Sequence, residues 1–102
     1  MKLSIKKKEG KLYFLFCGEL DDKAANEIRK VMDDVLDREL YTAVILDFTN
    51  LTFMDSTGIG LIIGRYKRLK AYCKKIYVMN PSRQVDKILT TTGIYQIVKK
   101  IS

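Results

Sequence analysis

The sequence predicts an α/β fold: one domain in which an N-terminal β-hairpin leads into βαβαβα, with a mostly parallel sheet of four or five strands covered by helices. Three observations predict it. Apolar runs of strand length recur at Leu12–Cys17, Ala43–Phe48 and Ile76–Met79. The stretches between them carry apolar residues at steps of three and four, the period of a helix. The first two extended stretches are separated only by a turn at Gly10, which leaves room for a hairpin and none for a crossover.

The elements follow in order. Leu3–Lys7 alternates apolar Leu3 and Ile5 with polar neighbours, as a half-buried strand does. Leu12–Cys17 is apolar at successive positions, so it reads as buried from both sides. Asp21 or Asp22 is placed to cap a helix that runs to about Arg38, with Ala25, Ile28, Val31, Met32, Val35 and Leu36 as its inward stripe. Ala43–Phe48 fits a central parallel strand. After the turn Asp55-Ser56-Thr57-Gly58, a second helix runs to about Tyr72 and turns Ile59, Ile62, Ile63, Tyr66 and Leu69 inward. Ile76–Met79 is the next strand. Asn80 is placed as N-cap of a third helix, with Pro81 at its first position and Val85, Ile88 and Leu89 inward. Gly93 suits a left-handed helix stop, and Ile94–Val98 reads as a last short extended segment.

The chain has 102 residues, which suits a single domain spanning 1–102. It contains no histidine, which removes the commonest general base and the commonest metal ligand. Cys17 and Cys73 are too few for a disulfide framework, and buried free thiols in a reducing compartment are the expectation. No run approaches the ~20 apolar residues of a membrane span. A cytoplasmic protein is therefore expected. Nineteen Lys and Arg against twelve Asp and Glu give a formal charge of +7. The basic residues fall at Lys6–Lys8, Lys67–Lys75 and Lys99–Lys100, a scatter that reads as solvated faces and loose ends.

Parallel strands place their carboxyl ends on one edge, where such folds usually bind ligands and partners. The loops expected there begin at Gly18, Thr49 and Asn80. They bring Glu19, Asp21, Asp22 and Asp55 to a common acidic lip, with Asp47 just below. Acids at helix starts are favoured by the helix dipole whatever the function, yet such a lip also suits docking of a cationic partner. Ser56 and Thr57 have the same two readings. Either hydroxyl can cap the helix, and either can be held out to be acted upon. Neither is a nucleophile in its own right, since no histidine is available to activate it. Gly58-Ile59-Gly60 lacks the lysine and spacing of a phosphate-binding loop. Phosphorylation of the hydroxyl by another enzyme is the chemistry that remains. Gly58 and Gly60 would let a partner approach it closely.

Gly18-Glu19-Leu20-Asp21, the stretch Phe53–Gly60 reading FMDSTGIG, and Gly64–Lys70 reading GRYKRLK resemble the anti-sigma factor antagonists of the STAS family. They look most similar to the sporulation type, which acts on the forespore sigma factor. The resemblance spans nearly the whole chain and implies a mechanism. The unphosphorylated antagonist binds an anti-sigma factor and releases its sigma factor. The anti-sigma factor is also a serine kinase and phosphorylates the antagonist. A metal-dependent, PP2C-type serine phosphatase resets it. By position in the motif the acceptor is Ser56, with Thr57 as second choice. Glu19, Asp21, Asp22, Asn50, Asp55, Thr57, Gly58 and Gly60 are the candidate partner contacts. The chain itself is expected to be no enzyme and to hold no cofactor, ATP and Mg²⁺ belonging to the kinase.

Three alternatives stand beside this. A STAS domain can also serve as a subunit of a transporter or a stress-signalling complex. A receiver-like module would use Asp47 as phosphoacceptor, but the lysine needed after a later strand is absent from Met79-Asn80-Pro81. A nucleic-acid-binding module would need cations around exposed aromatics, and Tyr66 lies on an apolar stripe instead. The expectation is therefore no direct nucleic-acid partner and no membrane.

Overall fold

The computed structural model describes all residues, Met1–Ser102. Five strands and three helices follow one another: β1 (Lys2–Lys8), β2 (Lys11–Leu20), α1 (Asp22–Arg38), β3 (Ala43–Met54), α2 (Ser56–Lys70), β4 (Lys75–Met79), α3 (Arg83–Thr91), a 3₁₀ turn (Ile94–Gln96) and β5 (Lys99–Lys100). The sheet order is β1-β2-β3-β4-β5. β1 and β2 pair antiparallel, and every other pair is parallel. Glu9 and Gly10 both have positive φ at the hairpin, the requirement of a tight type I′ turn.

The strand order has a consequence for the faces. Each parallel crossover steps to the next strand in the same direction. Right-handed crossovers then put every helix on one side. Accordingly, Leu12, Phe14 and Phe16 of β2, Val44, Leu46 and Phe48 of β3, and Ile76 and Val78 of β4 share a single core with α1, α2 and α3. Phe16 and Phe48 meet edge to face with centroids 5.1 Å apart, a pairing worth about 0.5–1.5 kcal/mol beyond its burial. The opposite face carries no helix. On it, Tyr13, Ile45 and Tyr77 stand side by side across β2, β3 and β4. Burial of β2 from both sides is therefore not what forms. Tyr13 and Leu15 are half-buried and Cys17 is exposed.

Other departures have local causes. Cys73 is also exposed, in a left-handed turn after α2, so neither thiol is buried. Val31 is 39% exposed rather than part of the inward stripe. The stretches around Gly18 and Thr49 are not loops. β2 and β3 continue in parallel register to Leu20 and Met54, past two irregularities at Leu15/Cys17 and Gly18/Glu19. Gly18 takes φ 113°, and Thr52 Oγ1 donates to its carbonyl at 3.0 Å. Polar residues here look like a loop in sequence, while the neighbouring strand satisfies their backbone. Ser82, not Asn80, caps α3, accepting from Val85 N–H at 3.2 Å. Asn80 instead has φ 52° and donates its backbone N–H to the Ser102 carbonyl at 2.9 Å. Gly93 is left-handed as expected, but the residues after it form a 3₁₀ turn before β5. No helix is long and apolar enough to cross a membrane.

Candidate functional site

The carboxyl rim is built where β3 ends at Met54 and α2 begins. Asp55 is the N-cap of α2: its carboxylate accepts from Thr57 N–H at 3.0 Å. The Thr57 hydroxyl donates to the same carboxylate oxygen. These hydrogen bonds, with the Thr57 hydroxyl foremost, hold the Asp55 carboxyl below the usual carboxylate range, because they favour its charged form. The cap is therefore Asp55, and neither Ser56 nor Thr57 plays that part. Ser56 occupies the first helical position, is exposed, and its hydroxyl makes no hydrogen bond within the chain. The two neighbouring hydroxyls are thus different: one is tied to Asp55, the other is free.

The two glycines of the motif also differ. Gly58 is buried, and a Cβ there would lie 2.5 Å from Met54 Cγ and 3.2 Å from Leu20 Cδ2. Its missing side chain faces the core, so it admits packing and not a partner. Gly60 has open space where a Cβ would stand. Only Gly60 fits the expectation of close outside approach.

Of the candidate contacts, Asp22, Thr57 and Gly60 line one groove of about 570 Å³ between α1 and α2. Glu19 and Asp21 line a separate depression beside Met1 and Lys23. Asp21 is committed to capping α1, accepting from Ala24 N–H at 3.0 Å. Asn50 is exposed in β3, opposite Cys17, and borders neither groove. The lip is also not uniformly acidic. Arg29 and Arg65 enter the same groove as Asp22. These two arginines were not among the sequence candidates. Nothing in the GRYK stretch marks Arg65 as buried, since an arginine flanking an apolar stripe ordinarily carries its charged head out to water.

The partner of Arg65 is Asp33. Arg65 is the one buried charged residue; its Nε lies 3.1 Å from Asp33 Oδ1 and Arg68 Nη1 lies 3.2 Å from the same oxygen. The Arg65 contact is an ion pair without the alignment of a hydrogen bond. Burial lowers the Arg65 pKa and the Asp33 charge opposes that shift. The pair joins α1 to α2 beneath the acceptor rim. No three Cys, Asp or Glu side chains converge as metal ligands.

The chain matches the STAS domain over residues 2–102. An anti-sigma F factor antagonist of Paenibacillus polymyxa is 30% identical over 98 residues, covering 96% of this chain and 84% of that protein. One from Lysinibacillus sphaericus is 34% identical over 77 residues, covering 76% of this chain and 66% of that one. The unphosphorylated form of the anti-sigma factor antagonist SpoIIAA superposes with a TM-score of 0.85 at 27% identity, covering 99% of this chain and 89% of that one. The phosphorylated form of SpoIIAA from Bacillus gives 0.76 at 26% identity, covering 99% and 92%. A shared architecture, a capped strand-to-helix turn and these relatives agree: the chain belongs to the STAS domain family and is similar to its anti-sigma factor antagonists.

Proposed function

We propose that this chain is a phosphorylation-switched antagonist that binds an anti-sigma factor with serine kinase activity, releases the sigma factor, and is inactivated by phosphate on Ser56. The observation that carries this is the division of labour between Asp55 and Ser56. Asp55 holds the helix start, so the Ser56 hydroxyl can leave it for a foreign active site without unravelling α2. A phosphate there adds about −1.5 to −2 charge at pH 7. It lies at a helix N-terminus, which favours an anion, so the fold tolerates it. The docking surface does not: new bulk and charge stand beside Asp55, Asp22 and the groove. A penalty of about 4 kcal/mol weakens binding about a thousandfold. This chain performs no catalysis in the cycle; ATP and Mg²⁺ enter with the kinase, and a PP2C-type phosphatase reverses the step.

The test incubates the protein with ATP, Mg²⁺ and each histidine-kinase-like anti-sigma factor of its own genome, then maps phosphate by mass spectrometry. Label is expected on Ser56. Ser56→Ala is expected to bind the partner and take no label, while Thr57→Ala stays labelled. Phosphate confined to Thr57, or none with any partner, overturns the assignment.

A further inference from the structure

The helix-free face of the sheet gathers charge that looks scattered in the sequence. At the amino ends of the parallel strands, Lys8, Lys11, Ala43 and Lys75 stand in one row across β1 to β4. Two residues further along, Lys6, Tyr13, Ile45, Tyr77 and Lys99 form a second row across all five strands. The lysines of both rows are exposed and both tyrosines are half-buried. Lys6 Nζ lies 5.3 Å from the centre of the Tyr13 ring. Between the rows is a shallow depression of about 510 Å³, floored by Ala43 and Ile45 and walled by Tyr13 and Tyr77. Asp47 also lies on this face, where it already accepts from Thr49 N–H and Oγ1 at 3.0 and 2.6 Å; Glu19 is at the carboxyl end of β2, away from the lysine row.

Against the sequence expectation of no nucleic-acid partner, which weighed Tyr66 alone, we propose that this face binds single-stranded nucleic acid, with phosphates along Lys8, Lys11 and Lys75 and bases stacked on Tyr13 and Tyr77. Charge complementarity requires an anionic occupant, and the paired rings select among anions. Strands lie about 4.8 Å apart, so the two tyrosines, two strands apart, are separated by about 10 Å. The lysine row runs parallel to them at about 6.6 Å, two residues along the strands. An extended single strand presents phosphates on one edge and bases on the other, and stacking on aromatic rings tolerates any sequence. An acidic polypeptide would meet the lysines, but its carboxylates gain nothing from the negative faces of the rings. The lysine row is at the opposite end of the strands from Ser56, so occupancy is independent of the acceptor rim.

Fluorescence anisotropy with a labelled oligothymidine of about ten nucleotides tests this. Wild type is expected to bind, and three lysine–phosphate contacts predict an affinity loss of about 20-fold between about 50 and 200 mM salt. Lys8→Glu/Lys11→Glu/Lys75→Glu is expected to abolish binding and flatten the salt slope. Lys30→Glu/Lys67→Glu/Lys87→Glu, which changes charge equally on exposed helix positions, is expected to retain it. Tyr13→Leu and Tyr77→Leu keep apolar cover over Ile45 and should each weaken binding about tenfold; circular dichroism melts check that they fold. Ser56→Ala is expected to bind like wild type. No binding at low salt, equal loss in the two triple variants, or unchanged affinity in the tyrosine variants overturns the proposal. So does competition by polyglutamate or duplex DNA as effective as by the single strand.

Discussion

At Asp55, one carboxylate accepts from Thr57 N–H and from its hydroxyl, and this fixes which neighbouring group is free. Asp55→Ala removes the cap and should cost about 1 kcal/mol, read as a lowered midpoint in urea unfolding. It should also free the Thr57 hydroxyl, so phosphate mapping of this variant is expected to show Thr57 labelled beside Ser56. The glycines give a second contrast. Gly58→Ala drives a methyl into Met54 and Leu20 and should destabilise by about 1–3 kcal/mol. Gly60→Ala meets open space and should be neutral or stabilising by up to about 1 kcal/mol, because alanine favours helix. If Gly60 admits the partner, its alanine variant unfolds later yet binds the anti-sigma factor more weakly. These roles were only half legible in the sequence. The motif marked the turn, but a serine and an aspartate are both good caps, and spacing does not choose between them.

Among the elements, α1 and α2 are joined by more than apolar packing. Arg65 is buried on α2 and faces Asp33 of α1, whose side chain is 31% exposed. Partial solvation moderates the cost of losing that carboxylate, so Asp33→Asn should destabilise by roughly 1–3 kcal/mol in denaturant titration. The C-terminal segment is tied down by polar contacts as well. Tyr95 donates to Asp86 of α3, and Lys100 of β5 reaches the same carboxylate oxygen at 3.1 Å. The Tyr95 hydrogen bond, then Lys100, hold the Asp86 carboxyl below its ordinary range. Burial and Asp86 raise the Tyr95 phenol. Tyr95→Phe should cost about 0.5–1.5 kcal/mol and faster amide exchange in β5 would report it. Apolar stripes such as Ile28, Met32 and Val35 were readable because the helical period exposes them. The Arg65 pair was not, since a buried charge declares itself only when its partner on another helix arrives.

For the whole molecule, acid sensitivity follows from Asp55 and Asp86 together. Both carboxyls titrate below an unfolded aspartate, near 3.9, so their contribution is present above that pH. It is lost as pH falls through the lowered native values. Thermal melts should therefore hold steady from about pH 7 to 5 and decline below about 4. An Asp86→Asn variant should show a shallower decline on the acid side. The sequence by itself determined the alternation of strands and helices, the hairpin, the core stripes and the exposed turn at Asp55-Ser56, because these depend on local periodicity and turn chemistry. The tertiary structure alone decided that all three helices take one side of the sheet, that Asp55 rather than Ser56 caps α2, and that lysines distant in sequence meet on the bare face. Those outcomes depend on strand order and register, which bring together residues that no local pattern relates.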